Sequence, residues 1–415
     1  MSEEFTLQLS DVAHGGDAVG RHEGKVIFVP YGIPGDSVRA EIVRDRGRFA
    51  HARLLEVLAP SPQRVKPPCP YFGTCGGCQW QHMAYEAQLE YKRSIVRAQL
   101  QHIAGLADTA VRPVMGMAEP WRYRNQVQFT VSRDGQLGFM GAASHRVIPI
   151  ERCLLMHPLL QELFDSLDIE LSGLQRLSLR AGINTGEQMV IFETEQDQPP
   201  ELEVALPVSC VLLLSNGTAV ALVGSPHIHE ALAGRRYRVS APSFFQVNTE
   251  QTERLISLVS QYLDPQPGSV VLDAYCGVGT FALALSAKAS QVIGVDGSAA
   301  ALADARANAA DTENALFVEG LVEETAPGLP EVTSPLVVVD PPRTGLDKEA
   351  LAALLTLAPL RVVYVSCDPA TMARDIGRFV SSGYYLYQVQ PVDMFPQTYH
   401  IECVALLASS PNEAP

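Results

Sequence analysis

The stretch SVVLDAYCGVGTFALAL, from Ser269 to Leu285, decides the fold of the C-terminal part of the chain. Its apolar start ends in Asp273 and predicts a buried strand. Gly277 and Gly279 then allow the backbone to turn tightly and approach a ligand before a helix begins. Strand and helix patterns alternate from here to the C-terminus. This alternation predicts an α/β fold class, with a parallel sheet covered by helices on both faces.

The next predicted strand, QVIGVD, ends in Asp296, nineteen residues after Gly277. An acid at this point can accept hydrogen bonds from two ribose hydroxyls, which indicates a nucleoside-bearing cofactor, either a dinucleotide or S-adenosylmethionine. No third glycine follows Gly279 with the geometry of a pyrophosphate site. A later strand, PLVVVDPPRTGLD, ends in Asp340 before two prolines that fix a rigid loop. These two features favour S-adenosylmethionine.

Another strand pattern ends at a cysteine in RVVYVSCDPATMARD, Arg361 to Asp375. Cys367 therefore lies at the C-terminal tip of a strand, where open α/β sheets bind their ligands. A thiol in this place is a candidate nucleophile. The alternative is a small apolar cysteine that caps a core strand, and the stretch itself does not decide between the two.

The composition describes a protein of 415 residues with a net charge of −15, 47% hydrophobic and 19% charged residues. This length predicts two or three domains. No apolar run approaches the roughly 20 residues of a membrane span, and the acidic start MSEEFTLQLS differs from a signal peptide, so we expect a cytoplasmic protein. Eight cysteines in that compartment are expected to be ligands, nucleophiles or buried thiols.

Residues 1–60 contain short strand patterns separated by glycine turns, which predict a small closed barrel of the OB type: Phe5 to Leu9, Lys25 to Val29, Ser37 to Val43 and Ala50 to Leu58. Basic residues outnumber acidic ones six to two between Ile42 and Lys66. A local excess of positive charge on such a barrel suits single-stranded nucleic acid, although an ordinary solvated hairpin explains the charge equally well.

The stretch CPYFGTCGGCQWQHM gathers Cys69, Cys75 and Cys78 in a glycine-rich turn, where three thiolates can converge on one centre. Cys153 is the nearest later cysteine and the candidate fourth ligand. Zinc and a cubane iron–sulfur cluster both accept four cysteines. Zinc sites usually present two close pairs, so three clustered cysteines with one distant partner favour the iron–sulfur cluster. His82 is an alternative ligand.

A helix is predicted from Ala84 to Leu106, with Gly105 as its stop and Lys92 on a solvated face. A strand-rich region follows to about Val239. Its arginines, interleaved with aromatic residues, suit RNA phosphate contacts and base stacking, or are ordinary strand residues: Arg122, Arg124, Arg133 and Arg146. We therefore predict a barrel at 1–60, a central mixed domain at 61–240 and the α/β domain at 241–415.

Several motifs together resemble the RNA uracil-5-methyltransferases of the TrmA/RumA type: DAYCGVGTF, DPPRTGLD, YVSCDPATMARD and PVDMFPQTYHIECVALL. The N-terminal GGDAVGRHEGKVIFVPYGIPGDSV resembles a TRAM domain, an RNA-binding barrel. The resemblance covers the whole chain. It implies a Rossmann-like methyltransferase domain that uses S-adenosylmethionine, an OB-type TRAM barrel and a central domain carrying a [4Fe-4S] cluster held by the four cysteines.

The presence of both barrel and cysteine cluster is most similar to the branch of the family that methylates 23S ribosomal RNA, with the T-loop of transfer RNA as the alternative substrate. The resemblance implies RNA as the partner, and we expect a monomer with no membrane association. Two other classes stay open. One is an RNA cytosine-5-methyltransferase, and the other is a non-catalytic iron–sulfur protein that binds RNA. A nicotinamide dehydrogenase is disfavoured by the absence of a pyrophosphate motif.

The reaction that the resemblance implies, methylation of carbon 5 of uracil, requires a cysteine and a carboxylate. Carbon 5 of uracil is a weak nucleophile, and a thiolate that adds to carbon 6 converts the ring to an enolate. By resemblance this thiolate is Cys367. Glu402, on a strand predicted from Tyr399 to Leu407, is the base that removes the carbon-5 proton, and burial would raise its pKa toward that role.

The resemblance also places S-adenosylmethionine against six positions of this chain: Gln246, Tyr275, Gly277, Thr280, Asp296 and Asp340. Three positions depart from the usual family residue. Thr280 stands where asparagine is common, Asp296 where glutamate is common and Cys403 where threonine is common. The first two changes concern cofactor affinity. Cys210 and Cys276 are expected to be buried structural thiols, and Arg343 is expected to hold a phosphate or the uracil, or to pair with Asp347.

Overall fold

The computed structural model describes residues 4–132, 134–169, 173–194, 198–200, 203–329 and 335–411. Arg133, one of the predicted RNA contacts, lies outside this described part. Within it, no helix is long and apolar enough to cross a membrane.

The first five strands close into a barrel in the order β1-β2-β3-β5-β4: β1 (Glu4–Val12), β2 (Ala18–His22), β3 (Lys25–Val29), β4 (Ser37–Asp45) and β5 (Phe49–Ala59). Side chains alternate along β1, so that Phe5, Leu7 and Leu9 point into the barrel core and their neighbours point to solvent. The predicted closed barrel is confirmed.

The next two elements are α1 (Tyr85–Ala104) and β6 (Ala110–Val111). α1 ends as predicted at Gly105, whose φ of 71° is the left-handed conformation that glycine adopts without strain. Lys92 differs from the prediction, because its side chain is fully buried and forms an ion pair of 2.5 Å with Asp393. An isolated cation costs too much to bury, so this lysine requires the distant aspartate.

The central elements are β7 (Gln126–Val131), β8 (Leu137–Met140), β9 (Val147–Pro149), α2 (Pro158–Asp165), β10 (Leu174–Ala181), β11 (Gln188–Thr194), β12 (Ser209–Leu213) and β13 (Ala219–Val223). The strands form a seven-stranded sheet in the order β13-β12-β11-β10-β7-β8-β9. One face of β7 and β10 carries Phe129 and Leu177, which pack against α2. A separate hairpin follows, β14 (His227–Leu232) with β15 (Arg235–Ser240).

The C-terminal elements are α3 (Thr249–Leu263), β16 (Val270–Ala274), α4 (Thr280–Ser286), β17 (Gln291–Asp296), α5 (Ala299–Asn308), β18 (Ala315–Glu319), α6 (Val322–Thr325) with a 3₁₀ turn (Ala326–Gly328), β19 (Leu336–Val339), α7 (Lys348–Thr356), β20 (Arg361–Ser366), α8 (Pro369–Ser381), β21 (Tyr385–Val392) and β22 (Glu402–Ala408). Together with β6, the strands form an eight-stranded sheet in the order β18-β17-β16-β19-β20-β22-β21-β6. Val362 and Val363 belong to different hydrophobic cores, as expected for a sheet covered on both faces.

The direction of the last strands differs from the predicted parallel sheet. β16, β17, β18, β19 and β20 are parallel, but β22 runs antiparallel to both β20 and β21. β22 also begins at Glu402 and not at the predicted Tyr399. As a result, the first residue of β22 lies at the same edge of the sheet as the last residues of β19 and β20.

Candidate active site

The sheet geometry brings Cys367 and Glu402 together. Ser366, the last residue of β20, pairs with Cys403 of β22, so the next positions of the two antiparallel strands are Cys367 and Glu402. Asp340 follows β19, the neighbour of β20. The three predicted residues therefore meet at the carboxyl edge of the parallel strands, which is the ligand-binding edge of an open α/β sheet.

The Cys367 thiol is half-buried and surrounded by charged groups. Burial raises its pKa to about 11, and the neighbouring Glu402 carboxyl adds to this rise. Arg343 acts in the opposite direction, because its guanidinium donates a hydrogen bond to the thiol and favours the thiolate. The predicted alternative, an ion pair of Arg343 with Asp347, does not describe the structure, where Asp347 accepts a hydrogen bond from the Ala350 amide and caps α7.

Glu402 and Asp340 are carboxyls that repel each other's charge. Glu402 is only 2% exposed, and burial followed by the nearby Asp340 raises its pKa well above the usual value. Burial likewise raises the pKa of Asp340, whose Oδ2 accepts a 3.4 Å hydrogen bond from Gln246 Nε2. Because two close carboxylates resist carrying two negative charges, this pair retains a proton at a higher pH than free carboxyls do.

The segment before Glu402 is fixed by contacts from α1. Asp393 accepts hydrogen bonds from Tyr85 Oη at 2.7 Å and from Lys92 Nζ at 2.5 Å. Further along the segment, Gln88 donates to the side chain of Gln397 at 3.0 Å and accepts from its backbone amide at 3.1 Å. These buried contacts explain why residues 393–401 form an ordered turn and why the strand begins only at Glu402.

The turn after Cys367 contacts the N-terminal barrel. Asp368 caps α8 by accepting hydrogen bonds of 2.9 Å from the Ala370 and Thr371 amides. Its other carboxylate oxygen lies 3.6 Å from His14 Nε2, in the β1–β2 loop. Gly16 in the same loop lies so close to Tyr399 that an added Cβ would stand 2.7 Å from the tyrosine Cβ. One barrel loop therefore borders the edge that carries Cys367.

The predicted cofactor turn has the backbone expected of a ligand-binding loop. Tyr275, Gly277 and Gly279 all have positive φ angles, of 66°, 55° and 86°. The Asp296 carboxylate accepts hydrogen bonds of 2.8 Å from the amides of Gly277 and Ser298, one at each oxygen. Each oxygen retains a second lone pair, so Asp296 can still accept hydrogen bonds from two hydroxyls.

A cavity of about 460 Å³ lies beside this turn, and Tyr275 and Asp296 line it together with Gly297, Val322 and Leu346. The other predicted cofactor contacts lie around it. Gly277 and Thr280 form the turn and the start of α4, whereas Gln246 and Asp340 lie on the side of Cys367. The structure therefore brings two of the six predicted residues into the cavity wall and leaves the other four outside it.

Asp273 is a buried acid beside the predicted cofactor turn that the sequence patterns did not single out. It is fully buried at the end of β16, and burial raises its pKa to about 8, with smaller contributions from Asp340 and Asp296. One oxygen accepts a 2.7 Å hydrogen bond from the Ala282 amide, and the other has no partner among the described residues. Its position immediately before the glycine turn was the available signal. Cys210, Cys276 and Cys403 are buried, as predicted for the first two.

The four predicted ligand cysteines line one cavity of about 520 Å³, together with Arg124. Among the described residues, no three His, Cys, Asp or Glu side chains converge closely enough to hold a single metal ion. His82 is excluded from the cavity wall, since its ring lies between Tyr31 and Phe72 and 3.4 Å from the Gly32 carbonyl. The thiols therefore share a cavity without forming a compact tetrahedral site.

Family models and relatives match the whole architecture. The model of tRNA (uracil-5-)-methyltransferases matches residues 328–410, that of the TRAM domain matches residues 2–55, and a general methyltransferase domain matches residues 271–354. An uncharacterized RNA methyltransferase of Gloeobacter violaceus is 37% identical over 98% of this chain and 97% of its own length. A second, from Halalkalibacterium halodurans, is 37% identical over 97% of this chain and 96% of its own. The chain belongs to the RNA uracil-5-methyltransferase family.

A solved relative supports the same assignment of this methyltransferase. The structure of Pyrococcus abyssi tRNA (uracil-54, C5)-methyltransferase in complex with S-adenosyl-L-homocysteine matches 98% of this chain and 100% of its own, with 27% identity and a TM-score of 0.75. This methyltransferase thus combines a TRAM barrel with a Rossmann-like domain, and S-adenosylmethionine is its methyl donor.

Proposed function

We propose that this methyltransferase forms 5-methyluridine in RNA through a covalent intermediate in which Cys367 is bonded to carbon 6 of the uracil. One observation carries the proposal. The antiparallel register of β20 and β22 places the Cys367 thiol beside the buried Glu402 carboxyl, so that a nucleophile and a base can act on the same ring.

The reaction begins with the Cys367 thiolate, which adds to carbon 6 and leaves an enolate with electron density on carbon 5. S-adenosylmethionine supplies a methyl group on a sulfonium. Carbon 5 forms the new bond to that methyl group, while the donor's carbon–sulfur bond breaks. The Glu402 carboxylate then takes the proton from carbon 5, the double bond between carbons 5 and 6 re-forms, and the bond from carbon 6 to Cys367 breaks. The thiolate is thereby regenerated.

Arg343 and the carboxyl pair determine when Cys367 becomes a thiolate. The raised pKa of the thiol means that the free enzyme holds it mostly protonated at neutral pH. Arg343 is the cation that favours ionisation, and a proton retained on the pair of Glu402 and Asp340 removes part of the repulsion. We infer that Gln246 fixes the orientation of Asp340 next to the ring and the methyl donor.

The cofactor cavity fits an adenosyl group by its chemistry. Asp296 offers two free acceptor positions for ribose hydroxyls, and the half-buried Tyr275 ring offers an apolar surface beside them. The buried Asp273 oxygen that has no partner among the described residues lies next to the same turn. We propose that Gln246, Tyr275, Gly277, Thr280, Asp296 and Asp340 form the S-adenosylmethionine site.

We propose large-subunit ribosomal RNA as the substrate, because the chain combines a TRAM barrel with four cysteines in one cavity. A uracil stacked within RNA cannot reach Cys367, so the target base must be flipped out. The barrel loop at His14 and Gly16 lies where it would contact the strand around that base. Transfer RNA is the second candidate, because the Pyrococcus abyssi relative that matches this chain over its full length is named for uracil 54 of tRNA.

The direct test is nucleoside analysis of RNA after incubation with the protein and S-adenosylmethionine. We expect 5-methyluridine in transcribed 23S ribosomal RNA and none in a transfer RNA transcript. Product in transfer RNA alone would establish the second candidate. Formation of 5-methylcytidine, or no product with either RNA or with total cellular RNA that lacks the modification, would contradict the proposal.

We further propose that Cys69, Cys75, Cys78 and Cys153 hold a [4Fe-4S] cluster. Each thiolate of a cubane binds a different iron, so the four sulfurs stand further apart than around one zinc ion, as their arrangement around a shared cavity allows. Arg124 also fits, since its side chain lines the cavity next to Cys78 and Cys153 and would offset the negative charge of a four-thiolate cluster. Such a cluster would tie the Cys69 loop to Cys153.

Replacement of one of the four cysteines tests whether they hold the cluster. Cys78→Ser should lose most of its iron and the broad visible absorption of the cluster when it is purified without oxygen, whereas Cys210→Ser, in the central core, should retain both. Iron and acid-labile sulfide analysis gives the measurement. One zinc per chain with no sulfide in the wild-type protein would overturn the cluster in favour of a zinc site.

A further inference from the structure

We propose that a polar cleft on the central sheet, lined by Arg180, Gln126, Gln128 and Ser178, binds a phosphodiester group of the substrate RNA strand next to the flipped uridine. The proposal rests on RNA being the substrate. It adds a binding site outside both the cofactor cavity and the edge that carries Cys367. The cleft has a volume of about 300 Å³.

The cleft occupies the face of the sheet opposite the central core. Arg180 pairs with Gln126 and Ser178 pairs with Gln128 across β10 and β7, so all four side chains point to one side of the sheet. The intervening residues, such as Val127 and Leu179, point to the other side and pack in the core with Phe129. A row of polar side chains in the middle of a seven-stranded sheet therefore lines a cleft.

Arg180 is the main reason to expect an anion. Its Nη1 donates a 2.9 Å hydrogen bond to the Ser240 carbonyl, a neutral group. The carboxylate that acts most on its charge is Asp304, but Asp304 already forms an ion pair of 2.9 Å with Arg238 and accepts hydrogen bonds from Ser240 and Ser243. Among the described residues, the half-buried guanidinium thus lacks a dedicated counterion, and an arginine in this state is suited to bind an incoming phosphate.

Arg176, on the same strand as Arg180, has a carboxylate partner in Glu193. Glu193 lines the cleft, but it accepts hydrogen bonds from Gln128 at 3.2 Å and Arg176 at 3.4 Å. Its charge is therefore offset locally. Arg176, which is 54% exposed, pairs with this carboxylate and does not line the cleft.

The cleft adjoins the loop that leads to the nucleophile edge. Gln126 Nε2 lies at 3.5 Å from the Phe245 carbonyl, and Asn125 Nδ2 donates a 2.9 Å hydrogen bond to the Gln246 carbonyl. Val247 forms part of the cleft wall, and its neighbour Gln246 reaches Asp340. A phosphate held by Arg180 would therefore lie one loop away from the uracil at Cys367.

The test compares Arg180→Met with Arg176→Met, which removes the same charge four residues away on the same strand. RNA binding is measured by filter retention over a series of salt concentrations, with a short oligouridylate and with an RNA that the wild-type enzyme methylates. We expect Arg180→Met to bind RNA about tenfold more weakly, because a charged hydrogen bond is lost, and to reduce the salt slope by about 0.7 per lost phosphate contact. Arg176→Met should keep the wild-type salt slope. Arg180→Lys, which keeps the positive charge, should show the wild-type slope that Arg180→Met loses.

Two results would overturn the cleft. The first is an unchanged salt slope in Arg180→Met together with a lower melting temperature, which would make Arg180 a purely structural support of the Ser240 loop. The second is an equal loss in Arg176→Met, which would make the effect a general one of surface charge. S-adenosylmethionine affinity should not change in either variant. The oligouridylate comparison measures binding and does not depend on catalysis, so it tests the cleft alone. Absence of 5-methyluridine in wild-type reactions would instead refute the proposed function.

Discussion

Cys367→Ala is expected to abolish methylation of RNA, with a loss of about 10⁴-fold or more, because without the thiolate no electron density reaches carbon 5 of the uracil. Binding of S-adenosylmethionine and of RNA should change little, since Cys367 lines neither the cofactor cavity nor the cleft at Arg180. Initial rates of tritium transfer from the methyl donor to RNA, with affinities measured by calorimetry, give the comparison.

The matched control is Cys403→Ala, which removes the thiol of the residue that pairs with Ser366 on the adjacent strand. Cys403 is fully buried, whereas the Cys367 thiol is half-buried. We expect this variant to retain methylation at near the wild-type rate. If Cys367→Ala kept substantial activity while Cys403→Ala lost it, the nucleophile would be Cys403 and not Cys367.

Glu402→Gln keeps the shape of the buried side chain but removes the base. This variant should still form the covalent adduct and transfer the methyl group once, but it should release product about 10²- to 10⁴-fold more slowly, because the carbon-5 proton has no acceptor. Quenched-flow experiments that follow methyl transfer and RNA release separately would show a single rapid turnover and then a block. Normal steady-state turnover in this variant would remove Glu402 from the mechanism.

The pH dependence of the wild-type enzyme follows from the same groups. Burial raises the pKa of Glu402, so the basic form is scarce at low pH and increases as the pH rises through that value. The elimination step should therefore accelerate with pH in the wild-type enzyme and lose this dependence in Glu402→Gln. Adduct formation should also accelerate with pH, because the Cys367 thiol has a pKa of about 11 and only its thiolate adds to carbon 6. This second pH dependence should remain in Glu402→Gln.

Local patterns were sufficient to predict most of the elements. The glycine turn after Asp273, the strand that ends at Asp296 and the helix stop at Gly105 each follow from residues close together in the chain. The closed barrel was likewise predictable from short strands separated by turns. For the same reason, Cys367 could be placed at a strand tip without knowledge of its neighbours.

Non-local pairing explains what the sequence could not predict. The direction of β22 depends on its pairing with β20 and β21, and strand periodicity is the same in both directions. Lys92 looked like part of a solvated helix face, because its partner Asp393 lies 301 residues away. The hydrogen bond from Arg343 to Cys367 and the cleft at Arg180 also depend on strands that are distant in sequence.

The role of Cys367 can be tested most directly with RNA in which 5-fluorouridine replaces uridine. With fluorine at carbon 5 there is no proton for the base to remove after methyl transfer, so the methylated adduct should remain bonded to the enzyme. After digestion with protease and nuclease, mass spectrometry should find the modified nucleotide on the peptide that contains Cys367. An adduct on another cysteine, or no adduct with an enzyme that still converts uridine to 5-methyluridine, would contradict the account.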